Sequence, residues 1–165
     1  MNCTKWFFAI LGPESTGFDM RVTTVFQVLI FSLVFAGSVS AQPDFASTKS
    51  KAAQGDAFAQ LQLGSMYADG LGVAMNYVEA VKWFKLAADQ GNASAQYLLG
   101  DMYVNGHGVP QNYLKAYVWF SLSAAQLVVG TEERNIIGAK LTPSDLSIAQ
   151  AIATKCFESN YKDCE

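Results

Sequence analysis

Apolar positions in the middle of the chain recur at helical spacing, and the whole pattern then recurs. Ala59, Leu63 and Tyr67 stand at i, i+4 and i+8, one stripe of a helix. Ala80, Trp83, Phe84, Ala87 and Ala88 stand at i, i+3, i+4, i+7 and i+8, the buried face of a second helix. Between them Gly70-Leu71-Gly72-Val73 breaks the periodicity, and Asn76 is placed to cap the second helix. Gln90-Gly91-Asn92 ends it, with Gly91 expected as a left-handed C-cap. Residues 55–90 align without gaps to residues 91–126, with 19 of 36 positions identical. Self-similarity at this period predicts stacked helix-turn-helix units. The fold class expected is therefore all-α, an α/α solenoid of two full 36-residue units with capping helices at both ends.

One identical pair looks unfavourable locally. Gly64 and Gly100 lie inside the first helices, where glycine costs about 1 kcal/mol relative to alanine. Their recurrence predicts close approach of the partner helix. At the ends the repeat is lost, and single elements have to be read. Ser47–Gln54 reads as a short helix covering the first unit. Leu127–Gly130 reads as a break, with a new helix opening at Thr131-Glu132-Glu133. Thr142-Pro143 opens a last helix, Thr142 as cap and Pro143 at the first helical position, whose inward face would carry Ile148, Ala151, Ile152 and Lys155.

The stretch before the repeats is different in kind. Val22–Ala36 is apolar and uncharged, follows Arg21, and leads to the small-residue end Val39-Ser40-Ala41. That order is the signature of an export signal peptide, with cleavage expected after Ala41. Met20 would open a leader of ordinary length, so residues 1–19 read as a start placed too early. The expected organisation is a leader at 1–41, an N-terminal cap at 42–54, two repeats at 55–126 and C-terminal capping helices at 127–165. The implied location is periplasmic or secreted, with no membrane anchor after cleavage. Beyond the leader two cysteines remain, Cys156 and Cys164, and an even count in an exported chain predicts one disulfide. Eight residues of continuous helix would hold their Cα atoms about 12 Å apart, beyond the ~7 Å limit for a bridge. The helix must therefore break near Ser159-Asn160.

Both units carry A-Q-x-x-L-G-x-x-Y, G-x-G-V, N-Y-x-x-A and W-F. This pattern closely resembles the Sel-one-like repeat (SLR), a relative of the tetratricopeptide repeat. The resemblance implies a superhelix whose members mostly scaffold protein–protein contacts, without shared catalytic residues. The segment from Lys140 to Gln150, KLTPSDLSIAQ, is similar to the C-terminal caps of bacterial members.

Charge and chemistry narrow the function further. The net charge of −3 provides no basic face for nucleic acid. The single histidine, His107, excludes a histidine-rich metal cluster. It replaces Leu71 of the first unit, so it reads as an exposed residue of a variable turn. No cofactor or metal is expected. Ser159-Asn160-Tyr161-Lys162 matches the S-x-x-K of penicillin-recognising enzymes, but the chain lacks S-D-N and K-T-G. The reading is thus a non-catalytic envelope adaptor with an unidentified protein or peptide partner. The alternatives are a cell-wall or β-lactam-directed hydrolase and an oligomerising structural subunit.

Positions that differ between the units are those free to specialise. Phe58, Gln62, Ser65 and Asp69 share one face of the first helix, and Ser94, Leu98, Asp101 and Asn105 are their counterparts. First helices line the concave surface of repeat superhelices, so these eight residues predict a partner groove. Phe58 and Leu98 would be its apolar anchors, and Asp69 and Asp101 its polar selectors.

Overall fold

A computed structural model describes residues 44–162 and residue 164. Among them the chain forms seven α-helices and no strand. In chain order these are α1 (Phe45–Ala53), α2 (Ala57–Asp69), α3 (Tyr77–Ala88), α4 (Ala93–Asn105), α5 (Tyr113–Ser123), α6 (Val128–Gly138) and α7 (Pro143–Glu158). The α2–α3 and α4–α5 pairs are the two repeat units. The leader and its cleavage site lie outside the described residues. Among those described, no helix is long and apolar enough to cross a membrane.

Each unit is punctuated in the same way. Asp56 and Asn92 cap the first helices, their side-chain oxygens accepting from the N–H of Ala59 and Ala95. Asn76 and Asn112 cap the second helices through the N–H of Glu79 and Lys115. Such a cap is worth about 1 kcal/mol. Gly70 and Gly106 end the first helices in the left-handed conformation and donate to the carbonyls of Met66 and Met102. The second helices end differently from the expectation. Asp89 is the C-cap of α3, in a right-handed conformation, and the left-handed residue is Gly91, two positions later.

The units pack helix on helix in sequence, α3 lying against both α2 and α4. The unfavourable glycines are explained by this contact. A Cβ on Gly64 would lie 2.6 Å from the Phe84 ring, and one on Gly100 2.8 Å from the Phe120 ring. Both phenylalanines are almost fully buried. Burial of such a ring contributes roughly 1.5–3 kcal/mol, which outweighs the helix cost of the glycine beneath it. The identical glutamines have an equally specific role. Gln60 donates to the Ala52 carbonyl at 3.1 Å, and Gln96 to the Ala88 carbonyl at 3.2 Å. Each ties a first helix to the end of the helix before it.

That glutamine register identifies α1. Ala52 stands 36 residues before Ala88, so α1 is the remnant of a second helix. It runs from Phe45 rather than Ser47, with Asp44 as its cap accepting from the N–H of Ser47. Phe45 stands 36 residues before Val81, so α1 starts one turn later than a complete second helix would.

The C-terminal elements depart from expectation in two places. α6 begins at Val128, and Gly130 lies inside it instead of ending the preceding helix. A Cβ there would stand 2.8 Å from the Ala124 nitrogen, so this glycine marks a close approach to the end of α5. Thr131-Glu132-Glu133 consequently sit within α6 and not at its start. In α7 the inward face is Ala149, Ala153 and Cys156, while Ile148 is 48% exposed and Ala151 and Lys155 are also exposed. Ile152 is half-buried. The face is rotated because α7 rests on α5 through alanines and through Cys156.

Cys156 and Cys164 are paired, with Cα atoms 4.5 Å apart. α7 stops at Glu158, and Asn160 and Tyr161 both take positive φ, 55° and 65°, which turns the chain back. A left-handed tyrosine costs about 1–2 kcal/mol. The crosslink offsets this by roughly 2–3 kcal/mol on the chain-entropy account of so short a loop. The turn seats the Tyr161 ring on Gly91, where a Cβ would fall 2.7 Å from the ring. The C-terminal loop thus reaches back to the junction between the two repeats.

Candidate functional site

A cleft of about 260 Å³ opens where the two units meet. Ser65, Ala68 and Asp69 of α2 form one wall, and Leu98, Asp101 and Met102 of α4 the other. Tyr77 and Phe84 of α3 and His107 of the second unit's turn complete it. The helical period accounts for the walls. Ser65 and Asp69 are one turn apart on α2, and Leu98 and Asp101 are nearly one turn apart on α4.

Four of the eight sequence-derived groove residues therefore meet in one place: Ser65, Asp69, Leu98 and Asp101. Asn105 lies one turn beyond Asp101 and donates to its carboxylate Oδ1 at 2.9 Å. That bond fixes the direction in which the carboxylate points. Phe58, Gln62 and Ser94 stand outside the cleft walls. Phe58 is 62% exposed near the start of α2.

His107 joins the site although its turn position varies between the units. It is exposed, as a turn residue should be, yet its ring stacks on Tyr77 with centroids 4.5 Å apart and planes 12° from parallel. The ring pair spans the junction, one partner from each unit. Period-36 comparison pairs His107 with Leu71, not with Tyr77, so it carries no signal of this contact.

The cleft carries a negative field. Its walls hold two carboxylates and no lysine or arginine. Burial first, and then the charges of Glu133, Asp101 and Glu132, raise the Tyr97 hydroxyl above its ordinary value of 10.0. Among the described residues, no three His, Cys, Asp or Glu side chains gather to hold a metal ion.

Ser159 has a structural use. Its hydroxyl donates to the Cys156 carbonyl at 3.0 Å and accepts from the main-chain N–H of Lys162 at 3.2 Å. The S-x-x-K spacing here builds the turn that closes the disulfide loop.

Stacked helix pairs, each tied to the one before by a buried glutamine, define a tandem α/α-repeat protein. The Sel1 repeat family model matches residues 57–92 and 93–126. Those residues form two Sel1 repeats. Among solved structures it is similar to a protective antigen of uropathogenic Escherichia coli strains displaying an SLR fold. The identity there is 33% and the TM-score 0.68, covering 71% of this chain and 26% of that one. It is also similar to a Sel1 repeat protein from Oxalobacter formigenes, at 28% identity and a TM-score of 0.57, covering 71% of this chain and 49% of that one. The chain thus spans about a quarter of the first relative and about half of the second. No curated protein matches it. Sel1 repeats generally act as protein-interaction modules.

Proposed function

We propose that this chain is an exported, non-catalytic adaptor of the bacterial envelope that holds a segment of a partner protein in the cleft between α2 and α4. The observation that carries this reading is the convergence of residues that differ between the repeats. Ser65, Asp69 and Asp101 belong to no core cluster and Leu98 packs only at the edge of one, yet the four line one opening. A site with an apolar lining and a few placed polar groups is what a binding pocket requires. Export is supported by the leader-like order before Ala41 and by the Cys156–Cys164 pair, which suits an oxidising compartment. The hydrolase alternative loses support because the Ser159 hydroxyl is engaged with main-chain groups of its own turn.

Leu98→Ala removes the apolar contact of the α4 wall and leaves the charge of the cleft unchanged. Capture of envelope proteins by the immobilised chain should fall by about tenfold or more, with the helical circular dichroism unchanged. Phe58→Ala, outside the cleft, should leave capture intact. Undiminished capture by Leu98→Ala would sink the assignment.

A further inference from the structure

The chemistry of the cleft also specifies what kind of side chain it accepts, provided the binding role proposed above holds. One side is a flat, face-to-face pair of rings, His107 on Tyr77. Asp69 and Asp101 stand on opposite walls, and Asn105 holds Asp101 in place. No lysine or arginine lines the cleft to neutralise these carboxylates. Leu98 supplies an apolar contact suited to a methylene stem.

We propose that the cleft receives an arginine side chain of the bound segment. Its guanidinium lies between the Asp69 and Asp101 carboxylates, with its plane against the aromatic pair. Three properties favour arginine over other occupants. Its planar fork pairs with carboxylates more specifically than an ammonium does. Its face stacks on aromatic rings. Its stem tolerates burial while the charged head stays paired. An acidic segment would meet two carboxylates with no lysine or arginine between them. A purely apolar one would desolvate both without return. Electrostatic complementarity of this kind sets specificity more than raw affinity.

The test uses two peptides that differ in charge at one group. Acetyl-Gly-Ala-Arg-Ala-Gly-amide and its citrulline twin, which is neutral and of the same shape, are titrated separately into the isotopically labelled chain. Nuclear magnetic resonance reads the His107 imidazole and the amides of Asp69 and Asp101. The arginine peptide should shift all three saturably, with affinity about tenfold above that of the citrulline peptide and weakened by added salt. Asp69→Asn/Asp101→Asn, checked for unchanged helicity, should remove the difference between the peptides. Equal shifts from both peptides, or saturation without movement of His107, would overturn the arginine assignment. The capture assay with Leu98→Ala leaves the charge of the cleft unchanged and does not depend on arginine, so the wider binding reading stands or falls separately.

Discussion

Gly108→Ala is expected to destabilise the fold by on the order of 3 kcal/mol, whereas Gly72→Ala, at the same repeat position, should cost about 1 kcal/mol. Both glycines have φ of +72°, so both substitutions carry the left-handed penalty of about 1–2 kcal/mol. They differ in what the new methyl group meets. At Gly72 the nearest atoms among the described residues are the Met66 Cε and the Phe45 Cβ, each at 3.6 Å, an ordinary contact. At Gly108 the methyl group would fall 2.5 Å from the Tyr77 carbonyl carbon and 2.8 Å from the Val78 nitrogen. Those atoms belong to the first turn of α3 and cannot give way without moving the helix, so overpacking adds roughly 1–3 kcal/mol. The asymmetry lies in what each turn meets: Phe45 of α1 and Met66 of α2 at Gly72, the main chain of the first turn of α3 at Gly108. Urea denaturation of the two variants reads the difference directly. Equal midpoints would mean that the second turn does not seat on α3 as described.

Trp119→Ala is expected to cost about 3–5 kcal/mol, the range for emptying a fully enclosed aromatic site. Trp119 is completely buried, with Lys85 Nζ of the preceding unit 5.5 Å from its ring centroid. Trp83 holds the same position in the first unit but is only half-buried, packed beside Ala52, Ala59 and Leu63. Trp83→Ala should therefore cost clearly less. The comparison separates the intrinsic value of the repeat residue from the contribution of its neighbours. In a quasi-one-dimensional array a unit's stability depends on what is stacked against it. Thermal denaturation would show the ranking, and a Trp83→Ala loss as large as that of Trp119→Ala would contradict it.

The fold was legible in the sequence wherever two copies of an element could be compared. Gly64 and Gly100 announced a close helix contact because no local reason explains a glycine there twice. The asparagine caps were legible for the same reason. Elements without a second copy were harder to read. Gly130 looked like a helix stop, since a contact glycine and a terminating glycine are identical in sequence and differ only in what lies beside them. The face of α7 was rotated because Ile148 outranks Ala149 in hydrophobicity, while the close fit to α5 selects the alanines and the crosslinked Cys156.

The cleft was half legible. Variation between units at Ser65/Asp101 and Asp69/Asn105 pointed to specialised positions, and helical spacing placed them on one face. Spacing could not say where along that face the opening lies, so Phe58 and Ser94 were grouped with residues a helix length away. His107 went unrecognised because its partner, Tyr77, lies 30 residues earlier, a separation created by stacking one unit on the next and not by the 36-residue period.

The central claim is that the junction between the repeats is where a partner segment lies. A photo-crosslinking residue at Leu98, compared with the same residue at the exposed Lys82 of α3, tests it most directly in the intact cell envelope. The account predicts a discrete crosslinked adduct from Leu98 that disappears with Asp69→Asn/Asp101→Asn, and none from Lys82. Equal adducts from both positions, or no adduct from Leu98 while Lys82 yields one, would contradict it.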